Sequence, residues 1–325
     1  MAVIDVAGLT KKYGGRRQTA ALTSVNLRVQ EGAVLGLLGE NGAGKTTLIK
    51  ILAGLLVPDL GGGRVLGFDL VRESRAIRAS VSLVAPTADV GLDNNLTVRQ
   101  NLVFWAPIYG LYGAHARRRI DELLERLGLR DKEHAWPMHI SAGQRQRLAL
   151  ARSLLAENRL VFLDEPTNKL DAEGVRSVRT LIADLNRQHG VTIVLTTHVM
   201  EEAEELCTEI ALLHAGILIR HEETRALVRS LNEERPIVVE IAEGSSVAVP
   251  LADSFPAAVR VEAHPAPGGS GLALTIWSRD IPATTPAVVE FMRREGLEVR
   301  RMTSERLTLD DVFRLAARPV EEDAR

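Results

Sequence analysis

The clearest hydrophobic pattern along the chain is a set of three short apolar runs, VLGLLG at 34–39, LVFLD at 160–164 and VTIVLTTH at 191–198. None of them alternates apolar with polar residues, as a strand with one face in water does. Continuous apolar runs of this length predict strands buried on both faces, as in a parallel sheet covered by helices. The chain therefore favours an α/β core.

Helical patterns lie between and after these runs. Apolar residues from Leu48 to Leu56 recur at the spacing of one helix face. Residues about 96–158 contain no comparable apolar run, but they contain amphipathic stretches such as ARRRIDELLERLGL. We therefore predict a helical subdomain over about 96–158.

The pattern changes again towards the end of the chain. IVVEIA and LALTIWS are typical of strands, whereas PAVVEFMRREG and LTLDDVFRLAA are typical of helices. These segments predict a small α+β domain. We expect the chain to divide into a larger domain at 1–225 and an accessory domain at 226–325.

Composition and charge narrow the function classes. A hydrophobic fraction of 46% and a net charge of -2 are typical of a globular protein without a broad basic field, so no nucleic-acid partner is expected. No run approaches the roughly 18 apolar residues of a membrane span, and the first residues do not resemble a signal peptide. A cytoplasmic protein is expected. Cys207, the one cysteine, suits a buried core position.

The segment GENGAGKTT, from Gly39 to Thr47, fits the G-x-x-x-x-G-K-[ST] pattern between a predicted strand and a predicted helix. Its glycines let backbone N–H groups turn towards a phosphate, while Lys45 would bridge the outer phosphates and the Thr46 hydroxyl would bind Mg²⁺. In isolation, the segment could instead be a glycine-rich turn with a solvent-exposed lysine. The predicted contacts to ATP here are Gly39, Asn41, Gly42, Gly44, Lys45, Thr46 and Thr47.

Two acids follow the second apolar run. Asp164 and Glu165 come at the predicted carboxyl end of LVFLD, where α/β sheets place their ligands. Asp164 would hold the Mg²⁺ shell, and Glu165 would deprotonate the water that attacks the γ-phosphate. The third run ends in His198, which could contact the γ-phosphate. Alone, Asp-Glu-Pro could simply end a strand, and a lone histidine is usually structural; the phosphate loop favours the functional interpretation.

The segment ISAGQRQRLALARSLL at 140–155, about 20 residues before LVFLDEPTN, resembles the signature of the ATP-binding-cassette (ABC) ATPases. Taken alone it would suit an ordinary helix capped by Ser141. The resemblance covers residues 1 to about 225. It implies a P-loop NTPase of ABC type, with a parallel-sheet core, an antiparallel β subdomain and a helical subdomain.

The resemblance also implies roles for individual residues. The signature residues would contact the nucleotide of a second subunit, Tyr13 would stack on adenine, and His198 would be the switch histidine. Tyr13 alone could equally be a half-buried surface tyrosine. The residues that the resemblance adds to the nucleotide site are Tyr13, Ser141, Gly143, Gln144 and, in the D-loop, Asp171.

The later part of the chain refines this resemblance. VMEEAEELCTEIALLHAGILI and the terminal ERLTLDDVFRLAA are similar to the ATPase subunits of bacterial exporters for drugs, antibiotics, polysaccharides or lipids. This implies a second ATPase subunit, identical or related, and a separate multi-span membrane permease that holds the pair at the inner face of the cell membrane. The alternatives are a soluble ABC protein acting on ribosomes or DNA and an importer ATPase.

Three positions depart from the family pattern. Ala142 replaces a signature glycine, and Lys169 stands where D-loops usually carry glycine. No glutamine occupies the Q-loop, where Pro86 or Thr87 falls nearest. We therefore expect good nucleotide binding but slow hydrolysis by the isolated subunit.

Overall fold

The computed structural model describes residues 1–14, 19–84, 92–168, 170–233, 235–242, 252–265 and 271–304. Contacts divide the chain into two compact units, Met1–Thr224 and Arg225–Arg325. Among the described residues, no helix is both long and apolar enough to cross a membrane.

The described residues of the first unit form two sheets. Its strands are β1 (Ala2–Tyr13), β2 (Thr19–Gln30), β3 (Val34–Leu38), β4 (Leu60–Val65), β5 (Phe68–Asp69), β6 (Val81–Val84), β7 (Leu160–Asp164), β8 (Thr192–Thr197), β9 (Glu209–His214) and β10 (Ile217–Glu223). Its helices are α1 (Lys45–Leu52), α2 (Ser74–Ser80), α3 (Val98–Trp105), α4 (Gly113–Arg126), α5 (Ala142–Leu154), α6 (Ala172–His189) and α7 (Met200–Leu206).

The larger sheet has the order β10-β9-β3-β8-β7-β6, with β3 parallel to β8 and β9, and β7 parallel to β6 and β8. Every residue of β3, β7 and β8 is buried. The three apolar runs therefore form the predicted parallel strands. Because parallel strands end at one edge of the sheet, the segments after β3, β7 and β8 lie close together.

The smaller sheet is antiparallel, in the order β2-β1-β4-β5. Its strand β2 alternates buried and exposed positions, with Val25, Leu27 and Val29 pointing to the core. Residues of both sheets and of α1 form one hydrophobic cluster. Between β6 and β7, the described residues from 92 onwards contain α3, α4, α5 and short turns but no strand. The predicted parallel-sheet core, antiparallel β subdomain and helical subdomain are confirmed.

Helix α1 is shorter than its apolar pattern predicts. It ends at Leu52, and Gly54 follows with a left-handed backbone, φ +70°. A left-handed glycine just past the last turn terminates a helix. The interpretation of Leu55 and Leu56 as helical was therefore wrong; Leu55 is exposed, while Leu56 packs against the core from outside the helix.

The second unit is a small antiparallel sheet with helices. Its elements are α8 (Thr224–Glu233), which begins at the boundary, β11 (Arg235–Ile241), β12 (Ala258–Pro265), β13 (Leu272–Ser278), α9 (Ile281–Arg294) and β14 (Val299–Thr303). The strand order is β12-β13-β11-β14, and apolar residues of the sheet and α9 share one core. Helix α9 starts earlier than the predicted PAVVEFMRREG because Asp280 caps it, accepting a hydrogen bond from Ala283 N at 3.0 Å. The segment LTLDDVFRLAA lies outside the described residues.

Cys207 is buried, as expected from the sequence. Burial raises the pKa of its thiol well above its ordinary value, and the nearby carboxylate of Glu202 adds to the shift. A Cβ on Gly36 would lie 2.8 Å from the Cys207 sulfur, so this strand glycine makes room for it. The thiol is therefore a packing residue and not a reactive nucleophile.

Candidate active site

The loop between β3 and α1 is shaped by glycines that no larger residue could replace. A Cβ on Gly39 would lie 2.3 Å from Leu213 O, and one on Gly44 would lie 2.3 Å from Ala21 O. Gly44 also has φ +104° at the start of α1, a conformation that favours glycine. The loop therefore turns tightly into the helix N-terminus, whose free N–H groups and dipole favour an anion.

Two further predicted loop contacts, Asn41 and Gly42, are exposed on the same turn, and Gly42 has φ +87°. Thr46 is exposed in the first turn of α1, and Thr47 beside it is half-buried. The loop thus offers both backbone and hydroxyl groups to a ligand at its open side.

Lys45 is folded back into this loop. Its side chain is only 6% exposed, and Nζ donates to Gly39 O at 2.5 Å and to Glu40 O at 3.0 Å. Burial lowers the pKa of Lys45, while the carboxylates of Glu165, Asp164 and Glu40 oppose that shift. Because its hydrogen-bond partners are neutral carbonyls, the ammonium charge stays available to a phosphate.

Asp164, the last residue of β7, connects the loop to the sheet. Its Oδ2 accepts from Thr46 Oγ1 at 2.9 Å, and its Oδ1 accepts from Thr196 Oγ1 at 2.7 Å. The carboxylate is buried, with 3% of the residue exposed. The structure therefore brings together Thr46 and Asp164, which the sequence predicts as metal ligands.

Glu165 follows in a strained conformation. Its backbone φ is +50°, which costs a residue with a Cβ about 1–2 kcal/mol. The backbone N–H donates to Thr196 Oγ1 at 2.9 Å, and the carboxylate Oε2 accepts from Asn168 Nδ2 at 2.8 Å. The first contact holds the strained backbone and the second orients the carboxylate. Strain of this kind is commonly stored at functional sites.

His198 lies directly after β8. Its Nδ1 is 3.9 Å from Glu165 Oε1, and its side chain is 60% exposed. The two residues share a cleft of about 200 Å³. The cleft is lined by Glu165, Thr167, Asn168, Thr197, His198 and Val199.

The remaining predicted residues lie elsewhere in the first unit. Ser141 caps α5: its Oγ accepts from Gln144 N at 3.1 Å, and its N–H donates to Gln144 Oε1 at 2.9 Å. Asp171 caps α6, accepting from Gly174 N at 2.8 Å. Gly143 is half-buried in the first turn of α5, and Tyr13 is exposed at the end of β1. These hydrogen bonds of the two capping residues stay within their own helices.

Sequence reasoning missed three residues that contact the predicted ones or their neighbours in the chain. Thr196 holds Asp164 and Glu165, Asn168 holds the Glu165 carboxylate, and Glu202 accepts from Thr197 Oγ1 at 2.6 Å. The PTN and TTH triplets beside the predicted residues were the available signals. Pro86, Thr87 and Lys169 lie outside the described residues.

A glycine-shaped loop opening a helix, with a lysine inside it and an acid at the end of a neighbouring parallel strand, defines a P-loop nucleotide hydrolase. A family model described as "ABC transporter" matches residues 22–168. The daunorubicin resistance ATP-binding protein DrrA3 of Streptomyces coeruleorubidus is 37% identical over 315 residues, which is 95% of this chain and 94% of that protein. The methionine import ATP-binding protein MetN of Streptomyces coelicolor is 37% identical over 228 residues, 67% of this chain and 64% of MetN.

A solved structure titled as a dimeric, post-hydrolysis state of the ATP-binding cassette MJ0796 bound to ADP and Pi is similar with a TM-score of 0.62. It is 28% identical, and the match covers 69% of this chain and 99% of that chain. The chain belongs to the family of ABC transporter ATP-binding proteins. The predicted function, an ATP-binding and ATP-hydrolysing subunit of an ABC exporter, is confirmed.

Proposed function

We propose that this chain is one half of a pair of ATPase subunits that drives export through a separate membrane permease. The observation that carries the proposal is the hydrogen bond of 2.9 Å between Thr46 and Asp164. It joins the phosphate loop to the last residue of β7, which Glu165 follows directly, so the proposed binding and hydrolytic groups form one site.

The residues present fit Mg-ATP. A hydroxyl and a carboxylate at one point, Thr46 and Asp164, are the hard oxygen donors that Mg²⁺ takes beside nucleotide phosphates. Gly39 and Gly44 leave no room for a Cβ against the backbone of neighbouring strands, which fixes the tight turn that aims loop N–H groups at a phosphate. When bound, Mg²⁺ would neutralise phosphate charge, and Lys45 would do the same from the protein side.

Hydrolysis then requires a base and its support. We assign Glu165 as the base that takes a proton from the attacking water, because its Oε1 opens onto the cleft it shares with His198. Asn168 donates to the other carboxylate oxygen and orients it. His198 would hold the γ-phosphate from the far side of that cleft. Tyr13 would stack on adenine.

A second subunit would complete each site. Ser141 and Asp171 cap α5 and α6, and the exposed start of α5 presents an anion-binding helix end to a partner. We propose that Ser141, Gly143 and Gln144 contact the nucleotide held by the other subunit, identical or related. The dimeric MJ0796 structure supports this arrangement.

The permease would dock on an aromatic surface formed by α3 and the turn after it. Phe104 and Ile108 are 57% and 60% exposed. The Trp105 ring lies 5.9 Å from Phe104 and stacks on Tyr109 at 6.1 Å. A contiguous exposed apolar patch of this kind marks a protein-binding site. We propose a membrane protein as its partner, which would hold the subunit at the inner face of the cell membrane.

Residues 1–225 would thus form the nucleotide-binding domain, and residues 226–325 an accessory domain. Export agrees with the extent of the similarities, since DrrA3 matches 95% of the chain and MetN matches 67%. No nucleic-acid partner is proposed.

The proposal is tested by Glu165→Gln in the full chain. The amide keeps the shape of the carboxylate but loses its basicity, so ATP binding should persist while phosphate release nearly stops. The variant should accumulate as an ATP-bound dimer in size-exclusion chromatography. Near-normal turnover would reject the role of Glu165.

The partner is tested by copurification with a multi-span membrane protein encoded beside this gene. Phe104→Arg should abolish copurification and leave the basal ATPase rate unchanged, since Phe104 lies outside the nucleotide site. Arg28→Ala, an exposed change on β2, is the control and should retain the partner. Retention by Phe104→Arg would contradict the docking surface.

A further inference from the structure

A buried carboxylate lies behind the hydrolytic cleft. Glu202, in α7, has no exposed surface. Its Oε2 accepts from Thr197 Oγ1 at 2.6 Å and from Thr167 Oγ1 at 3.1 Å, and its Oε1 faces Arg179 Nε at 3.8 Å. Four elements therefore meet at one side chain: the end of β8, the loop after β7, α6 and α7.

The two hydroxyls that donate hydrogen bonds to Glu202 belong to segments that carry proposed hydrolytic residues. Thr197 immediately precedes His198, and its Oγ1 also accepts from Val199 N at 3.0 Å, which fixes the turn around the histidine. Thr167 immediately precedes Asn168, whose amide donates to Glu165. A single carboxylate oxygen thus ties the His198 turn to the Glu165 loop.

Packing alone does not account for this carboxylate. Burying a charge is costly unless its oxygens are fully satisfied, yet Glu202 Oε1 and Arg179 Nε make no hydrogen bond among the described residues. Arg179 has a shorter ion pair with the exposed Glu205, at 2.8 Å. Well-packed apolar residues in place of a whole buried ion pair are commonly no less stable, so stability alone does not explain a carboxylate at this position. What an apolar side chain could not supply is an acceptor for two hydroxyls at once.

We propose that Glu202 is a positioning residue for ATP hydrolysis, which holds the His198 turn and the Glu165 loop in one fixed relation. The inference rests on the roles proposed above for Glu165 and His198. Glu202 has no described contact with Lys45 or the phosphate loop, so its loss should change turnover and not nucleotide affinity.

The experiment compares Glu202→Ala and Glu202→Gln with Glu204→Gln, an exposed glutamate of the same helix, in the full chain. For Glu202→Ala we expect kcat to fall at least about tenfold with KM for ATP within about threefold of wild type, the signature of a lost transition-state interaction. The kcat of Glu202→Gln should fall less, because its amide oxygen can still accept hydrogen bonds from both hydroxyls. Glu204→Gln should match wild type.

To distinguish a positioning role from a merely structural one, kcat is measured at a temperature where circular dichroism shows every variant to be fully folded. Thr197→Val should reproduce the loss of kcat, and Thr197→Ser, which keeps the hydroxyl, should restore it. Combined with Glu202→Ala, Thr197→Val should add little further loss, because both changes remove the same contact. Should Glu202→Ala not fold, the comparison of Thr197→Val with Thr197→Ser and Glu202→Gln decides alone.

The outcomes distinguish this inference from the proposed function. If wild type hydrolyses ATP and Glu165→Gln does not, the function stands. Folded Glu202→Ala or Thr197→Val with wild-type kcat then overturns only the role of Glu202. A wild-type chain that neither binds nor hydrolyses ATP would instead reject the proposed function.

Discussion

The hydroxyl of Thr196 is the smallest group on which both acids of the site depend. It is fully buried, donates to Asp164 Oδ1 at 2.7 Å and accepts from Glu165 N at 2.9 Å. Thr196→Val keeps the branched shape and the strand propensity of the residue but removes that hydroxyl. The variant therefore isolates two hydrogen bonds.

The expected loss of kcat follows from the two groups that Thr196→Val leaves without a partner, the Asp164 carboxylate oxygen and the Glu165 N–H. A buried polar group that loses its hydrogen-bond partner destabilises the folded protein by about 1–3 kcal/mol. The left-handed backbone of Glu165, φ +50°, would relax more easily once its N–H is no longer held. If about 1.4–2.8 kcal/mol of that loss falls on the hydrolytic geometry, kcat drops by about ten- to a hundredfold.

The matched control is Thr192→Val, at the other end of the same strand. Thr192 is equally buried, and its Oγ1 accepts from Gly32 N at 2.9 Å, away from the site. Urea unfolding should show a loss of stability in both variants, whereas steady-state phosphate release should fall only in Thr196→Val. Thr196→Ser should recover most of the rate. Equal turnover in the two valine variants would refute the reasoning.

Three further predictions concern the pairing, the loop and the β subdomain. Lys45→Ala should weaken ATP binding, whereas Ser141→Arg should leave ATP binding by the monomer largely intact and block closure of the pair on the nucleotide. Mixed dimers of the two variants should regain part of the turnover, because both defects then fall on one of the two sites; verified mixed dimers without any activity would contradict the shared site. In urea unfolding, Gly44→Ala should lose more stability than Gly67→Ala. Both glycines have positive φ, but only a Cβ on Gly44 would lie 2.3 Å from a backbone carbonyl of β2. Equal losses of stability would argue against this reasoning. The pKa of Asp59 is lowered by a hydrogen bond from a lysine side chain of β1 and then by a backbone N–H. Its stabilisation is therefore present above its ordinary pKa of 3.8 and lost as the pH falls through the lowered value, so Asp59→Asn should be less stable than wild type at neutral pH, with a difference that disappears in strong acid.

The sequence predicts the centre of the fold because strands buried on both faces leave an unbroken apolar run. It follows that Asp164, Glu165 and His198 fall at the carboxyl ends of their strands, and the contacts of Asp164 with Thr46 agree with that placement. The end of α1 was predicted too late, since apolar spacing continued through Leu56 while the backbone had already turned at Gly54.

The positioning residues were not predictable in the same way. Glu202 stands in the acidic run EEAEE, which indicates a solvated helix face, and only the packing of α7 against its neighbours buries this one glutamate. Thr196 is an ordinary residue for a strand, and its partner Glu165 lies 31 positions away in the chain. Contacts of this kind depend on tertiary register, so the PTN and TTH triplets indicate where such residues lie but not which contacts they make.

The two threonines that end β8 point to opposite faces of the sheet, one towards Asp164 and the other towards Glu202. Since strand side chains alternate, the insertion or deletion of a single residue upstream in β8 would exchange the two faces and break both sets of contacts together. Point substitutions can adjust either side separately, but changes of strand length cannot. We therefore expect engineered or natural variants of this subunit to carry substitutions in β8 but no insertions or deletions there.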